Sequence, residues 1–300
     1  MRKFLLYTLV FSLPLLCLLA GAEAYVESLP NPSRDKHAWM LRHSGEVETL
    51  VLGNSHTFYG VSPSLLPPHS FSLAQVSQTY RYDLWLLRRY PVGKLRTLIL
   101  PFSYMSLWED FENQENRWAE AIRYRLYMDC DIHSRWGRYG WELMSIPTFR
   151  EKLKSLYRPP QLSWDSLGWG TNYLASSRKA DWDNGKERIR ENTYTDTFIV
   201  RLNYRFLRDI LTFCRKRNVR VLLISTPVSD TYRRNKDIRQ ERTNRQCLQA
   251  LLSDFPEVEY LDFEGDSRFG ATDFYDSDHL NSDGARKLSS ILATLILKRP

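Results

Sequence analysis

LVLGNSHTFYG, residues 50–60, runs from an apolar stretch through a glycine into a serine and a histidine. A glycine just past a buried run makes a tight turn. The serine that follows then stands at the carboxyl edge of whatever sheet the run belongs to, where α/β folds place their ligands. The run itself, TLVL at residues 49–52, has three counterparts: LILP at 98–101, VRVLLIS at 219–225 and VEYL at 258–261. Short, leucine-rich or β-branched runs bounded by turn residues read as strands buried on both faces, hence parallel. Helical periodicity occupies about residues 82–90, 196–217, 237–254 and 282–298. The last of these opens on Asn281-Ser282-Asp283-Gly284 and carries Leu288, Ile291, Leu292, Leu295 and Ile296 at helical spacing. Strands alternating with helices predict the α/β class, with a doubly wound parallel sheet.

The chain has 300 residues, 43% hydrophobic and 13% aromatic, which excludes a disordered polymer and allows one sizeable core. Its formal charge of +7 is spread in clusters such as Arg215-Lys216-Arg217 and Arg233-Arg234. No nucleic-acid module accompanies them, so solvated faces, or an anionic envelope surface or polymer, fit better than DNA. Cys130, Cys214 and Cys247 are widely spaced, without a C-x-x-C pair, and predict buried thiols or at most one disulfide rather than a zinc site. No metal or other cofactor is expected. The acidic stretch 273–283 fails the calcium-loop pattern because Leu280 occupies a ligand position.

Residues 1–24 have the form of an export segment. Met1-Arg2-Lys3 is positive, residues 4–20 are almost entirely apolar, and AGAEA at 20–24 offers cleavage points after Ala22 or Ala24. The apolar length is also near the minimum for a spanning helix, so a cleaved signal and a retained membrane anchor both stand. Either places the remainder, residues 25–300, outside the cytoplasm as a single α/β domain, with membrane association through the N-terminal segment. One block departs from the alternation. Residues 106–192 show no clear strand yet hold seven of the nine tryptophans, which marks a large insertion rather than a linker.

A nucleophilic serine needs a base within hydrogen-bond reach and a third group to set the base's tautomer. His56 is a poor base for Ser55. If a helix begins at the serine, adjacent side chains diverge by about 100°. In FYDSDHLNSDG, residues 274–284, Asp276 and His279 lie three apart, so that on one helical turn the carboxylate meets the imidazole from one side. His56 then either points into the pocket as a binding residue or packs beneath it.

This arrangement resembles the SGNH, or GDSL-like, hydrolase superfamily. Gly53-Asn54-Ser55-His56 stands where that superfamily has its G-D-S block, and Asp276-Ser277-Asp278-His279 matches its last block in type and spacing. The resemblance covers about residues 47–104 and 196–298. It implies a flavodoxin-like sheet and a triad of Ser55, His279 and Asp276. It also implies an oxyanion hole in which Ala74 or Ser77, within FSLAQVSQ, stands for the family glycine and Ser103, within PFSYMS, for the family asparagine. The implied activity is that of an exported serine esterase removing acyl groups, acetyl foremost, from a carbohydrate or envelope polymer. Acyl transfer to such a polymer is the neighbouring chemistry, and a non-catalytic glycan- or partner-binding protein that keeps the fold is the contrasting reading. Trp164, Trp169 and Tyr173, in SWDSLGWGTNY, are the expected substrate-binding aromatics, beside glycines that let the backbone approach.

Overall fold

The computed structural model describes residues 1–112, 117–133, 136–158, 162–178 and 180–298. Its elements are α1 (Arg2–Ser28), α2 (Pro32–His43), β1 (Thr49–Val51), α3 (Ser55–Gly60), β2 (Ser70–Ser72), α4 (Tyr80–Arg89), β3 (Thr97–Pro101), α5 (Ile122–Tyr127), α6 (Ile146–Leu153), α7 (Gly185–Glu191), α8 (Thr197–Arg215), β4 (Arg220–Ser225), α9 (Asp230–Arg234), α10 (Ile238–Asp254), β5 (Glu259–Asp262) and α11 (Ser282–Leu297), with short 3₁₀ turns between them. The chain divides into two compact units, residues 38–110 with 163–300 and residues 1–37 with 111–162.

The larger unit is built on a five-stranded, wholly parallel sheet in the order β2-β1-β3-β4-β5, with helices flanking it. This is the doubly wound, flavodoxin-like order, and its reversal point lies between β1 and β3. The strands are continuous apolar runs because both faces are covered. Val51, Ile99, Leu222 and Ile224 pack with Leu288 and Leu292 of α11 and Phe58 of α3. The alternating set Leu50, Leu98, Leu100, Val221 and Leu223 is equally buried and, by the twofold strand period, points to the opposite face. There α4 packs on α8. Acidic and amide side chains start the long helices: Asp196 accepts from the Phe198 N–H, Asp237 from Arg239 and Gln240, and Asn281 from Asp283 and Gly284. Each satisfies donors that the helix itself leaves unpaired.

Strand β2 is absent from the sequence reading. SFS is three residues long with two serines, and it is a strand because it pairs with β1 along one edge (Leu50 opposite Phe71) while the Leu167 carbonyl accepts from the Ser72 N–H at 3.0 Å on the other. The sheet edge is thereby covered.

In the smaller unit the last turns of α1 carry Glu23, whose carboxylate accepts from the backbone N–H groups of Glu142 (2.6 Å) and Leu143 (2.9 Å). Glu142 is itself buried, accepts from the Tyr127 hydroxyl at 2.6 Å and pairs with Lys152. The tryptophan-rich block is thus divided between two bodies. Trp118, Trp136 and Trp141 belong to the smaller unit, and Trp108, Trp164, Trp169 and Trp182 to the α/β unit. The four cysteines are free thiols.

Candidate active site

Strand β1 ends at Val51, and the chain turns at Gly53 with φ of 104°, a conformation that disfavours any side chain. A Cβ there would lie 2.1 Å from Pro101 Cδ, so the turn is closed to other residues by packing as well. The Gly53 N–H donates to Asp83 Oδ1 at 2.8 Å, and Gln78 Nε2 donates to the same oxygen at 2.6 Å. Burial pushes the Asp83 carboxyl up to about 7 despite those two donors. Asn54 caps α3 by accepting from the His56 N–H at 3.1 Å, and Ser55 is the first helical residue, partly exposed beside the β1/β3 reversal point.

His279 meets it from the other end of the chain. Its Nε2 lies 2.8 Å from Ser55 Oγ, and its Nδ1 lies 2.9 and 3.1 Å from the two oxygens of Asp276. With Nδ1–H donated to the carboxylate, Nε2 is left to accept from the serine hydroxyl. The three-residue spacing is delivered differently from the helical turn expected. Residues 275–278 form a bend closed by the antiparallel bridge between Phe274 and Leu280 and by the Tyr275 N–H donating to the His279 carbonyl at 2.9 Å. Asp276 Oδ1 also accepts from the N–H groups of Asp278 (3.1 Å) and His279 (2.8 Å). The residue therefore caps the bend and orients the imidazole at once. Burial alone would depress His279, but the carboxylates of Asp276 and Asp278 outweigh it and raise its pKa above the ordinary histidine value.

A second group of side chains lies beneath this one, and nothing in the local pattern marks it. Asp278 is fully buried, accepts from Arg188 Nε at 2.9 Å and from Asn192 Nδ2 at 3.3 Å, and approaches His279 Nδ1 at 3.4 Å. Burial would raise its pKa, but His279 and Arg188 hold it far below the carboxylate range. His56 is buried as well, its Nδ1 2.8 Å from Thr226 Oγ1 and its Nε2 3.7 Å from Asp278 Oδ2. Burial and the neighbouring His279 drive its pKa down to about 3, so the contact with Asp278 is no ion pair at neutral pH. The Nε2–H tautomer fits, since it aims a proton rather than a lone pair at the carboxylate and lets the Thr226 hydroxyl donate to Nδ1. His56 thus packs beneath the pair, its ring centroid 4.9 Å from that of His279.

Ala74 is buried beside the Gly53 turn: the Leu73 N–H donates to the Val51 carbonyl (2.9 Å) and the Gln75 N–H to the Gly53 carbonyl (3.0 Å). Ser103 Oγ shares a 2.7 Å hydrogen bond with Ser106 Oγ and accepts from Asn54 Nδ2 at 3.4 Å. Of the three aromatics, Tyr173 makes a ring contact with His279. It stacks between Tyr59 (3.7 Å) and Tyr275 (3.9 Å) and presents its edge to His279 at 5.4 Å. Trp169 donates Nε1–H to the Tyr59 carbonyl at 2.8 Å, and Trp164 pairs through its backbone with Gly170 and packs on the core. A Cβ on Gly170 would fall 2.5 Å from the Tyr59 ring, so glycine is what lets this segment lie on α3. Tyr59 and Tyr275 were not legible as site residues, because a stack of three rings from three separate segments has no sequence spacing.

One family model matches the chain, over residues 171–299. No curated protein matches it. Among solved structures, the chain is similar to a GDSL-like lipase from Bacteroides thetaiotaomicron, at 10% identity and a TM-score of 0.43 over 89% of this chain and 99% of that one. It is also similar to an acetylxylan esterase from Geobacillus stearothermophilus, solved as a catalytic mutant, at 10% identity and a TM-score of 0.37 over 84% and 93%. Identities this low speak to fold alone, and TM-scores below 0.5 carry no activity across.

Proposed function

We propose that this chain is an exported serine esterase of SGNH type that removes acyl groups, acetyl foremost, from a carbohydrate or cell-envelope polymer. The observation that carries the reading is the single line of hydrogen bonds from Ser55 Oγ through His279 to Asp276. Ser55 Oγ attacks the ester carbonyl as its proton passes to His279 Nε2. The imidazolium so formed is held by Asp276 and returns the proton to the leaving alkoxide. Water, activated by the same nitrogen, then resolves the acyl-enzyme. The oxyanion donors in this reading are the Ser55 N–H, the backbone at Ala74 and a side-chain donor from the Asn54–Ser103 pair. Removing one such donor typically costs about 2.7–4 kcal/mol of transition-state stabilisation. The Tyr59–Tyr173–Tyr275 stack supports a ring-bearing substrate, because aromatic faces and edges bury the apolar surfaces of sugars. Export is supported by α1, a helix long and apolar enough to cross a membrane.

The test is labelling of the purified protein with a fluorophosphonate probe, with Ser55→Ala as control. Labelling that disappears in the variant is the expected result, and labelling that persists removes Ser55 from the chemistry. A transferase would differ only in the acceptor that resolves the acyl-enzyme, which a competition between water and added glycan acceptors would display.

A further inference from the structure

The smaller unit carries its own surface chemistry, independent of the esterase reading. Phe4 and, from Tyr7 to Leu18, the large apolar side chains of α1 are exposed, Phe11 by 79% and Leu18 by 69%. Twenty residues of helix span the roughly 30 Å hydrocarbon layer at about 1.5 Å per residue, so a segment beginning near Arg2 leaves that layer near Gly21. Packing starts there. Glu23 is buried and accepts from the N–H groups of Glu142 and Leu143, and Tyr25 Oη shares a 3.0 Å hydrogen bond with Ser155 Oγ. Those ties hold two other parts of the unit at the helix exit, within about 6 Å of it along the axis, which is the depth of the headgroup layer.

What those parts present to the outside is apolar and aromatic. Trp141 and Met144 flank the first tie and are 43% and 51% exposed, and Ile146 at the start of α6 is 61% exposed. Leu156 and Tyr157 follow the second at 67% and 76%. Trp136, 84% exposed, has its ring 6.5 Å from that of Trp141. Basic residues are interleaved: over residues 136–158, Arg138, Arg150, Lys152, Lys154 and Arg158 face only two acids, Glu142 and Glu151. Glu142 is buried and already paired with Lys152. Tryptophan and tyrosine with lysine and arginine at the end of an apolar helix are the residue types that settle at a membrane interface, and the positive excess selects an anionic leaflet.

We propose that α1 remains attached as a membrane helix and that the surface carrying Trp136, Trp141, Met144, Ile146, Leu156 and Tyr157 rests in the headgroup layer of the anionic leaflet from which α1 emerges. Cleavage after Ala22 or Ala24 would sever the helix at the turn that holds Glu23 and is incompatible with this arrangement.

The test uses the full chain in nanodiscs containing dibrominated phosphatidylcholine, with and without phosphatidylglycerol, read by tryptophan fluorescence. Helix α1 contains no tryptophan, so quenching reports the body and not the anchor. The expected result is quenching that deepens with phosphatidylglycerol and falls by half or more in Trp136→Phe/Trp141→Phe. Both side chains are substantially exposed, so the double variant keeps its fold, to be verified by circular dichroism. Quenching that is absent, unchanged in the double variant or indifferent to phosphatidylglycerol overturns the proposal. So does a mature N-terminus at Glu23 or Tyr25 in membrane-extracted protein, or a crosslinked pair of chains that shields these tryptophans from the lipid.

Discussion

His279 is flanked by two carboxylates of different character. Asp276 is partly exposed and shares its oxygens between Nδ1 and two backbone N–H groups, whereas Asp278 is fully buried against Arg188. On the proposed triad, Asp276→Asn should therefore lower kcat for a small acetyl ester by a hundredfold or more with KM nearly unchanged, because the carboxylate orients the imidazole and stabilises the cation it becomes on taking the serine proton. The pH profile carries the sign. In the proposed mechanism neutral His279 is the base, and its pKa is raised by the carboxylates, so activity should climb as pH rises through that raised value. Removing the Asp276 charge lowers the pKa, and the ascending limb should move to lower pH. Asp278→Asn should act mainly on stability, since it neutralises the buried carboxylate that accepts from Arg188 and Asn192. The loss, read from chemical denaturation, should fall short of the roughly 3–5 kcal/mol of a fully buried pair, because Arg188 is half-buried and keeps its pair with Glu191. If Asp278→Asn abolished turnover without shifting the denaturation midpoint, while Asp276→Asn was silent, the roles given to the two carboxylates would be reversed.

His56 supplies a complementary reading in stability rather than rate. Its folded pKa, about 3, lies below the ordinary 6.5, so the unfolded chain takes up a proton that the folded chain refuses. The stability this group contributes is complete above pH 6.5 and is lost as pH falls toward 3, with a limiting slope of about 1.4 kcal/mol per pH unit. His56→Gln should flatten the dependence of Tm on pH between 4 and 6.5. An unaltered slope would show that another group governs acid unfolding. Esterase activity should fall far less in His56→Ala than in His279→Ala, for which about a thousandfold loss in kcat is expected.

At the scale of elements, the turn from β1 into α3 depends on Asp83 of α4, whose carboxylate holds the Gly53 N–H. Here the sign is opposite. The folded pKa of about 7 is above the unfolded value, so the folded state keeps a proton that the unfolded state has lost, and stability falls as pH rises from about 4 to 7. Asp83→Asn keeps the acceptor oxygen and removes the titration. It should raise Tm at pH 8 relative to wild type by several degrees, at about 2–4 °C per kcal/mol for a domain of this size, and by much less at pH 5. Equal melts at both values would mean that Asp83 does not titrate in this range. The segment carrying Trp169 and Tyr173 is the other element with a function to test. Its indole is anchored to the Tyr59 carbonyl on α3, and Tyr173 stands edge-on to His279. Trp169→Ala should weaken turnover of a polymeric or sugar ester more than that of a minimal acetyl ester, because binding energy remote from the carbonyl exists only for the larger substrate. Melting curves must accompany the kinetics, as truncating a packed tryptophan typically costs about 3–5 kcal/mol. Equal losses on both substrates would assign the segment to scaffold rather than selection.

Across the whole molecule, the +7 charge bears on which polymer the proposed esterase would meet rather than on the bond it would cleave. An excess of 42 basic over 35 acidic residues raises the local concentration of polyanions, and salt screens that attraction over about 10 Å at 0.1 M. KM for an anionic polymeric ester should rise severalfold between about 0.05 and 0.5 M salt, while KM for an uncharged acetyl ester stays level. A flat response for the polyanion would return the basic clusters to plain solvation.

The sequence by itself determined what local chemistry can specify. Apolar runs such as TLVL and VRVLLIS can be satisfied only as buried strands, Asn281 can only start a helix that its own carbonyl caps, and a serine after Gly53 falls at a sheet's carboxyl edge. The D-x-x-H spacing brought Asp276 within reach of His279, although a bend rather than a helical turn made the contact. Only the tertiary structure decided the rest. Strand β2 exists because its neighbours pair with it. Asp278 differs from Asp276 because Arg188 and Asn192, some ninety residues earlier in the chain, meet it in the interior. His56 is neutral because burial strips it of water, and Tyr59, Tyr173 and Tyr275 become one stack only when three segments converge. Propensity and spacing act over a few residues, whereas desolvation and charge pairing depend on which distant groups share a dry interior, and that is settled by packing.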